Sequence, residues 1–194
     1  RGCTVYEEDR HLAGDRVYPS IHMETKAMGE RLLVEKGGAL GWWSIVRPGV
    51  VFGPWGGHLE WRLLYMAARL RVGPRLGRGV PHIYSRDLAR ILADAGEGRH
   101  RGAWVNAVDP MHPDLADLFR ALCRGLGHSR CATIPVWPLV SLAGRASGRG
   151  SPLRLIYSIL AHGCRYGSRR LEGFQWTPLE EQARGFIEWA RRWL

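Results

Sequence analysis

The chain alternates between segments whose apolar residues follow helical spacing and short apolar runs that are typical of strands. Residues 22–35 place Ala27, Leu32 and Leu33 among charged positions, which predicts an amphipathic helix that a pair of glycines ends. Residues 42–46 then form a bulky, strand-like run. Because a helix joined to a strand by a glycine-rich connection is half of a βαβ unit, this pattern predicts an α/β fold.

The middle of the chain continues the alternation. Residues 59–70 predict a second helix, since apolar residues recur on one side of it. That side consists of Leu63, Met66, Ala67 and Leu70. Residues 72–81 are rich in glycine, proline and arginine and predict a loop, whereas residues 103–108 return to strand character.

Two later helices have recognisable starts. Ser85 is expected to cap the first of them, because its hydroxyl can accept a hydrogen bond from a free backbone N–H of the first turn. Thr177 is expected to cap the last helix, with Glu180 completing a Thr-x-x-Glu capping box. Phe186 and Ile187 lie on the apolar side of that helix, so we expect it to pack against the core.

Composition and charge exclude few classes of function for this protein. The 194 residues are 45% hydrophobic, which is enough to bury a core, and carry a formal net charge of +10. Lys26 and Lys36 are the only lysines, and the arginines are scattered without any run longer than two. This even scatter indicates a solvated basic surface. We therefore expect no nucleic-acid partner, with nucleic-acid binding through the arginines as an alternative.

Cysteine usage and the apolar stretches bear on the compartment. Four cysteines form no Cys-x-x-Cys motif, and they are Cys3, Cys123, Cys131 and Cys164. We expect reduced thiols in a cytoplasmic protein. The apolar stretches around residues 135–143 and 153–161 are shorter than the ~20 residues that a membrane-spanning helix needs. No transmembrane segment is expected, with peripheral contact through either stretch as an alternative.

Residues 1–6 have the pattern of a segment inside a longer chain. Arg1 is not a start methionine, and residues 2–6 resemble the end of a strand that is already under way. These features predict that the chain is a fragment, with a complete but degenerate protein as the alternative.

Five short motifs lie in a fixed order along most of the chain. They occupy residues 25–32, 47–54, 82–89, 102–106 and 168–178. Together they resemble the extended short-chain dehydrogenases/reductases, a family of NAD(P)-dependent sugar epimerases, dehydratases and 3β-hydroxysteroid dehydrogenases. The resemblance implies the C-terminal part of a Rossmann-type parallel sheet and a mostly helical substrate-binding region.

The same resemblance implies a division of the chain. Residues 1–57 are expected to form the C-terminal part of the NAD(P)-binding Rossmann domain. Residues 58–194 are expected to be mainly substrate-binding, with residues 80–108 or so returning to the Rossmann sheet.

The family's chemistry rests on a tyrosine and a lysine four residues apart on one helix, with a serine or threonine from the preceding strand. By resemblance Lys26 matches the lysine, whereas His22 stands at the tyrosine position. Tyr18 lies two turns from Lys26, which is too far to substitute without a shifted helix. Gly2 aligns with the usual serine, and Thr4 is the only nearby hydroxyl that could replace it.

Two interpretations of each candidate stay open. His22 could act as general acid and base, because imidazole titrates near neutrality, or it could mark a site that has lost its chemistry. Lys26 could hold the nicotinamide ribose, or it could form a solvated ion pair with Glu30 one turn away.

Cofactor binding follows from the resemblance alone. It implies NAD or NADP, with Pro48, Gly49 and Val50 beside the nicotinamide. No glycine-rich dinucleotide turn follows a strand in this sequence, so the resemblance implies that the pyrophosphate-binding half lies outside it. Asp87 is expected to be structural, and no metal-binding motif is present.

The resemblance therefore predicts an oxidoreductase or epimerase that acts on a hydroxyl or keto carbon of a small molecule, such as a sugar nucleotide or a steroid-like compound. A non-enzymatic member that binds a nucleotide or a protein is the alternative. The oligomeric state stays open, with a homodimer as one option.

Overall fold

A computed structural model describes residues 4–5, 21–56, 59–148, 151, 154, 157 and 165–194. Within these residues the strands form four pairs, and every pair is parallel. The strands are β1 (Thr4–Val5), β2 (Ser44–Pro48), β3 (Val50–Phe52), β4 (Val72–Arg75), β5 (His82–Tyr84), β6 (Ala103–Ala107), β7 (Ala132–Pro135) and β8 (Arg165–Tyr166). Parallel strands with helical connections confirm the predicted α/β fold.

Six α-helices are described between or after these strands. They are α1 (Ile21–Lys36), α2 (Leu59–Arg69), α3 (Ser85–Gly96), α4 (Leu115–Gly125), α5 (Trp137–Ala146) and α6 (Leu179–Trp193). None of the helices described is long and apolar enough to cross a bilayer.

The pairs β2–β6 and β3–β5 form the centre of the fold. In the first pair Ser44 lies opposite Ala103 and Pro48 opposite Ala107, and every residue of β6 is buried. One core cluster contains Ile83, Ile91 and Val105. A second, larger cluster lies between α2, α4 and α6.

The prediction of a loop over residues 72–81 is wrong for residues 72–75. These residues include β4, which pairs with β7 along its whole length. Gly73 lies against the ring of Phe119, so closely that a Cβ at this position would overlap the ring. The glycine and proline that indicated a loop are therefore accommodated in a short strand with one strand partner, the setting in which sheets tolerate proline.

Both predicted helix caps are also wrong. The cap of α3 is Tyr84, and Ser85 is already helical. Thr177 does not cap α6, because its N–H and hydroxyl both donate to the carboxylate of Asp87, at 3.0 and 2.8 Å. Asp87 is fully buried and needs these donors. The expectation that Asp87 is a structural residue agrees with these contacts.

Helix α2 packs on the core with the side opposite to the apolar side that the hydrophobic spacing predicted. Trp61, Leu64, Tyr65 and Ala68 are buried. In contrast, Leu63, Met66 and Leu70 are exposed, and of the predicted side Ala67 alone packs against the core cluster. The indole N–H of Trp61 donates to the carbonyl of Val51 at 2.7 Å, which fixes this side against β3. Since both sides of α2 are apolar, the hydrophobic pattern alone could not select the buried one.

A disulfide bond joins Cys123 at the end of α4 to Cys131 before β7. The expectation of reduced thiols is wrong for this pair, because the chain reverses after Gly125 and returns Cys131 to the buried end of the helix. Cys3 and Cys164 lie outside the described residues.

A buried polar network links β5 to α6. Gln182 donates to a carboxylate oxygen of Asp109 at 3.2 Å and to the carbonyl of Thr177 at 2.7 Å. Its side-chain oxygen therefore accepts from Nε2 of His82, at 3.1 Å. Nδ1 of His82 is buried without a partner among the described residues. Burial lowers the pKa of His82 despite the opposing charge of Asp109, which favours the neutral form of the ring.

We expect reduction of the Cys123–Cys131 disulfide to lower the free energy of unfolding by about 2–3 kcal/mol, because the crosslink restricts the unfolded chain. Urea denaturation with and without a reductant measures this difference. A Cys123→Ser/Cys131→Ser variant serves as the control and should not respond to the reductant. An equal response in the variant would contradict the assignment.

We expect acid to destabilise the fold through His82. Its pKa is lowered in the folded state, so the unfolded chain binds the extra proton, and stability falls as the pH drops below the ordinary value of 6.5. One such group contributes a slope of at most about 1.4 kcal/mol per pH unit. Urea denaturation between about pH 5 and about pH 8 measures it.

In that series a His82→Leu variant should lose this slope even if it is less stable throughout. His128→Gln, at a position that is only half-buried, is the matched control and should keep the slope. A His82→Leu variant with the full wild-type slope would show that another group is responsible.

Candidate functional site

An ion pair attaches α1 to β2. Nε of Arg47 donates to Oε1 of Glu30 at 3.0 Å, and Nη2 donates to Oε2 at 2.6 Å. This two-point geometry is the strongest form of an arginine–carboxylate contact. Because α1 has no buried residue of its own, the pair is a principal anchor of the helix.

A second contact fixes the direction of α1. Gly37, just after the helix, lies against the ring of Trp43, just before β2. Taken with the Glu30–Arg47 pair, this contact shows that α1 and β2 run in opposite directions. Moving towards the N-terminus of α1 therefore means moving towards the carboxyl end of β2.

This register predicts a position for Lys26 beside the end of the strand. Lys26 lies one turn before Glu30, which is about 6 Å along the helix axis. The same distance along β2 is roughly two residues beyond Arg47, at about 3.3 Å per residue. This spacing predicts that Lys26 is level with the turn formed by Pro48 and Gly49, with His22 one further turn outward.

The side chain of Lys26 is exposed and unpaired within the described part of the chain. The interpretation of Lys26 as the ion-pair partner of Glu30 is wrong, since Arg47 holds that carboxylate. His22 is exposed too, and its carbonyl accepts a hydrogen bond from the hydroxyl of Thr25 at 3.0 Å. Both candidate side chains are therefore open to a ligand.

The turn after β2 connects the two central strand pairs. The N–H of Gly49 donates to the carbonyl of Ala107 at 3.0 Å, and the N–H of Val50 donates to that of Pro81 at 2.7 Å. A Cβ on Gly49 would overlap the carbonyl of Pro81. Gly49 is thus required by this crossing, and contact of Pro48, Gly49 and Val50 with a cofactor stays a prediction.

The carboxyl end of β6 is held by the segment that follows β8. The hydroxyl of Ser168 donates to the carbonyl of Asn106 and lies 3.2 Å from that of Val108. The side-chain amide of Asn106 donates to the carbonyl of Gly167 at 3.1 Å. Ser168 lies in one of the five motifs, although the sequence did not indicate this role.

His112 was not found from the sequence. Its Nε2 accepts from the N–H of Tyr166 at 3.1 Å, while its Nδ1 lies 3.0 Å from the carbonyl of Pro110, to which it donates. These two bonds fix β8 beside the end of β6. Burial raises the pKa of Tyr166, so its phenol is protonated at neutral pH.

Strand β1 pairs with β8, with Thr4 opposite Arg165. The bonds of His112 and Ser168 therefore connect the strand that carries Thr4 to the carboxyl end of β6. No described strand pair joins β1 to β2, and Gly2 and Tyr18 lie outside the described residues. No group of three His, Cys, Asp or Glu side chains that could share a metal ion occurs among the residues described.

Comparisons with known proteins give one sequence relative and several structural neighbours. No family model matches the chain. Over 105 residues it is 37% identical to epimerase family protein SDR39U1 of Bos taurus, covering 52% of this chain and 35% of that protein. It thus spans about a third of this curated relative.

Two solved structures illustrate the likeness in fold. Human epimerase family protein SDR39U1 (isoform2) with NADPH matches at a TM-score of 0.54 and 26% identity, over 75% of this chain and 48% of that chain. UDP-N-acetylglucosamine 4-epimerase from Methanobrevibacter ruminantium M1, in complex with UDP-N-acetylmuramic acid, matches at 0.63 and 15% identity. The latter match covers 98% of this chain and 63% of that chain, and it shows the fold alone.

We expect the Glu30–Arg47 pair to contribute measurably to stability. Their side chains are 19% and 25% exposed, so a double-mutant cycle with Glu30→Gln and Arg47→Gln should give a coupling energy of about 1 kcal/mol or more. The pair of Asp117 and Arg120, 49% and 44% exposed, should give less than about 0.5 kcal/mol. Equal coupling energies from urea denaturation would contradict the anchoring role of the first pair.

Proposed function

Since this chain resembles the extended short-chain dehydrogenases/reductases in both sequence and fold, we propose that it is part of an NAD(P)-dependent oxidoreductase or epimerase. The reaction would take place at a hydroxyl or keto carbon of a small molecule. The observation that carries the proposal is the Glu30–Arg47 pair, which attaches α1 to β2 one turn from the exposed Lys26. Nucleotides bind at this carboxyl edge in parallel sheets.

The residues at this edge fit the nicotinamide end of a dinucleotide. An exposed ammonium at Lys26 is a suitable donor for ribose hydroxyls, and Pro48, Gly49 and Val50 provide the adjacent backbone. NAD or NADP would supply the centre that accepts or donates a hydride. The human SDR39U1 structure contains NADPH, which supports a cofactor of this class.

The pyrophosphate is not assigned to any described residue. The turn after β3 contains Gly53, but a Cβ there would overlap Tyr84 and Ser85, so this glycine serves packing. An open cradle of backbone N–H groups, as phosphate binding needs, is not formed by Gly53.

Three side chains divide the chemistry in this proposal. Lys26 holds the ribose and places a positive charge beside the reacting groups. The imidazole of His22, one turn away on the same side of α1, transfers a proton to or from the substrate oxygen. By resemblance, Thr4 on β1 takes the place of the family's serine or threonine, whose hydroxyl orients that oxygen by a hydrogen bond.

The substrate class follows from the neighbours only in outline. An epimerase of the same fold is in complex with a UDP-linked sugar acid, which favours a sugar nucleotide over a steroid-like substrate. In this proposal residues 1–57 form the part of the sheet that binds the cofactor. Residues 58–194 mainly bind the substrate, although residues 80–108 or so belong to the sheet.

A second candidate function is a non-enzymatic member that binds a nucleotide or a protein. Its specific support is the histidine at position 22, where the family has tyrosine. The enzyme and the nucleotide-binding alternative both predict nucleotide binding through Lys26, and they differ in turnover.

We expect Lys26→Met to weaken the binding of NADH or NADPH at least tenfold, because each lost charge-assisted hydrogen bond is worth about 1.5–3 kcal/mol. Fluorescence titration of the full-length protein measures this change. Lys36→Met is the matched control, since Lys36 is exposed at the other end of the same helix. Equal affinity in the two variants would contradict the ribose-binding role.

A hydride-transfer assay with the same protein separates the two candidates. If His22 transfers the proton, His22→Ala should lose most of the turnover while keeping the affinity for NAD(P)H. Tight binding without any turnover, unchanged in His22→Tyr, would support the non-enzymatic function instead.

A further inference from the structure

Helix α2 carries a row of apolar side chains on its solvent side. The row consists of Leu59, Leu63, Met66 and Leu70, which we call the α2 stripe. These side chains are 68%, 60%, 47% and 75% exposed. Their spacing of four, three and four residues places them along one line of the helix surface.

The α2 stripe is directly opposite the side of the helix that packs on the core. Trp61, Leu64, Tyr65 and Ala68 fill the buried side. At 100° per residue the centres of the two sets lie about 180° apart. No described part of the chain covers the stripe, although four exposed apolar side chains in a row are unusual on a solvated helix.

Positive charge lies along one flank of the α2 stripe. Arg62 and Arg69, both exposed, are seven residues apart and therefore share that flank. Arginine side chains can lay their apolar stems along a hydrophobic surface while the guanidinium reaches towards a charged one.

Two exposed tryptophans contact each other, and one of them, Trp55, lies four residues before α2 in the sequence. Trp55 is 69% exposed and Trp193 61% exposed, and their ring centroids are 5.0 Å apart. Trp193 ends α6 directly after Arg191 and Arg192, which are exposed as well. Tryptophan is favoured where an apolar layer meets a polar one, because its ring is apolar and its N–H is polar.

We propose that the α2 stripe, together with Trp55 and Trp193, is a docking surface for an anionic lipid bilayer. The leucines and Met66 would enter the acyl boundary, the tryptophans would lie among the headgroups, and Arg62 and Arg69 would contact lipid phosphates. The chain would attach to the membrane surface without crossing it.

The charges favour this occupant over a second copy of the chain. If two copies paired through antiparallel α2 stripes about a two-fold axis, the flank with Arg62 and Arg69 would face itself. The like charges would then repel across the interface. An anionic bilayer meets the same flank with opposite charge.

Co-sedimentation of the full chain with vesicles tests the proposal. Binding is expected to vesicles of phosphatidylcholine with about 30% phosphatidylserine and not to phosphatidylcholine alone, and it should weaken as salt rises. Arg62→Gln/Arg69→Gln should weaken binding about fivefold per arginine removed, since each is worth about 1 kcal/mol at such a surface. Leu63→Ser/Leu70→Ser should weaken it at least tenfold.

The matched control is Leu92→Ser, which removes a leucine that is 50% exposed on α3 and should leave vesicle binding unchanged. Binding that survives Leu63→Ser/Leu70→Ser would show that charge alone is responsible and would overturn the proposal. So would the absence of binding to anionic vesicles at low salt. A dimer in analytical ultracentrifugation that the same double variant dissociates would assign the α2 stripe to a second copy instead.

Discussion

Two buried carboxylates, Asp87 and Asp109, hold the start of the last helix to the rest of the fold. Asp87 accepts both donors of Thr177, and Asp109 accepts from Gln182, which also contacts His82. An ionised carboxylate inside a protein is tolerated only with such partners. These bonds therefore determine where α6 begins. Helix α6 in turn completes the core cluster that it forms with α2 and α4.

Because buried polar groups find their hydrogen-bond partners far along the chain, only part of the fold could be predicted from the sequence. Local signals predicted α1, β2 and the position of α6, because hydrophobic spacing is a property of neighbouring residues. The caps at Ser85 and Thr177 were not predictable in the same way. Thr177 satisfies a carboxylate that lies 90 residues earlier in the chain, and no local motif reports such a contact. Strand β4 was missed because its strand partner among the described residues, β7, lies far along the chain.

In the candidate site too, local motifs revealed some residues, whereas long-range contacts revealed the others. Motifs on single segments indicated Lys26 and the turn at Gly49, and the structure supplied the register between them through Glu30 and Arg47. His112 stayed hidden because it acts on the backbone of a segment 54 residues away. A sequence pattern reports the groups that could meet a ligand more readily than the groups that hold those segments in place.

The parallel pairing of the described strands has a consequence for how the chain folds during synthesis. A parallel pair cannot form from a tight hairpin, so every described pair must wait for a later segment, and the register of β1 on β8 joins Thr4 to Arg165. Such high contact order slows folding, since long loops close before any strand contact repays their entropy. During synthesis, β2 and β3 therefore emerge with open edges, which is the interval when a nascent chain is most exposed to aggregation and most dependent on chaperones.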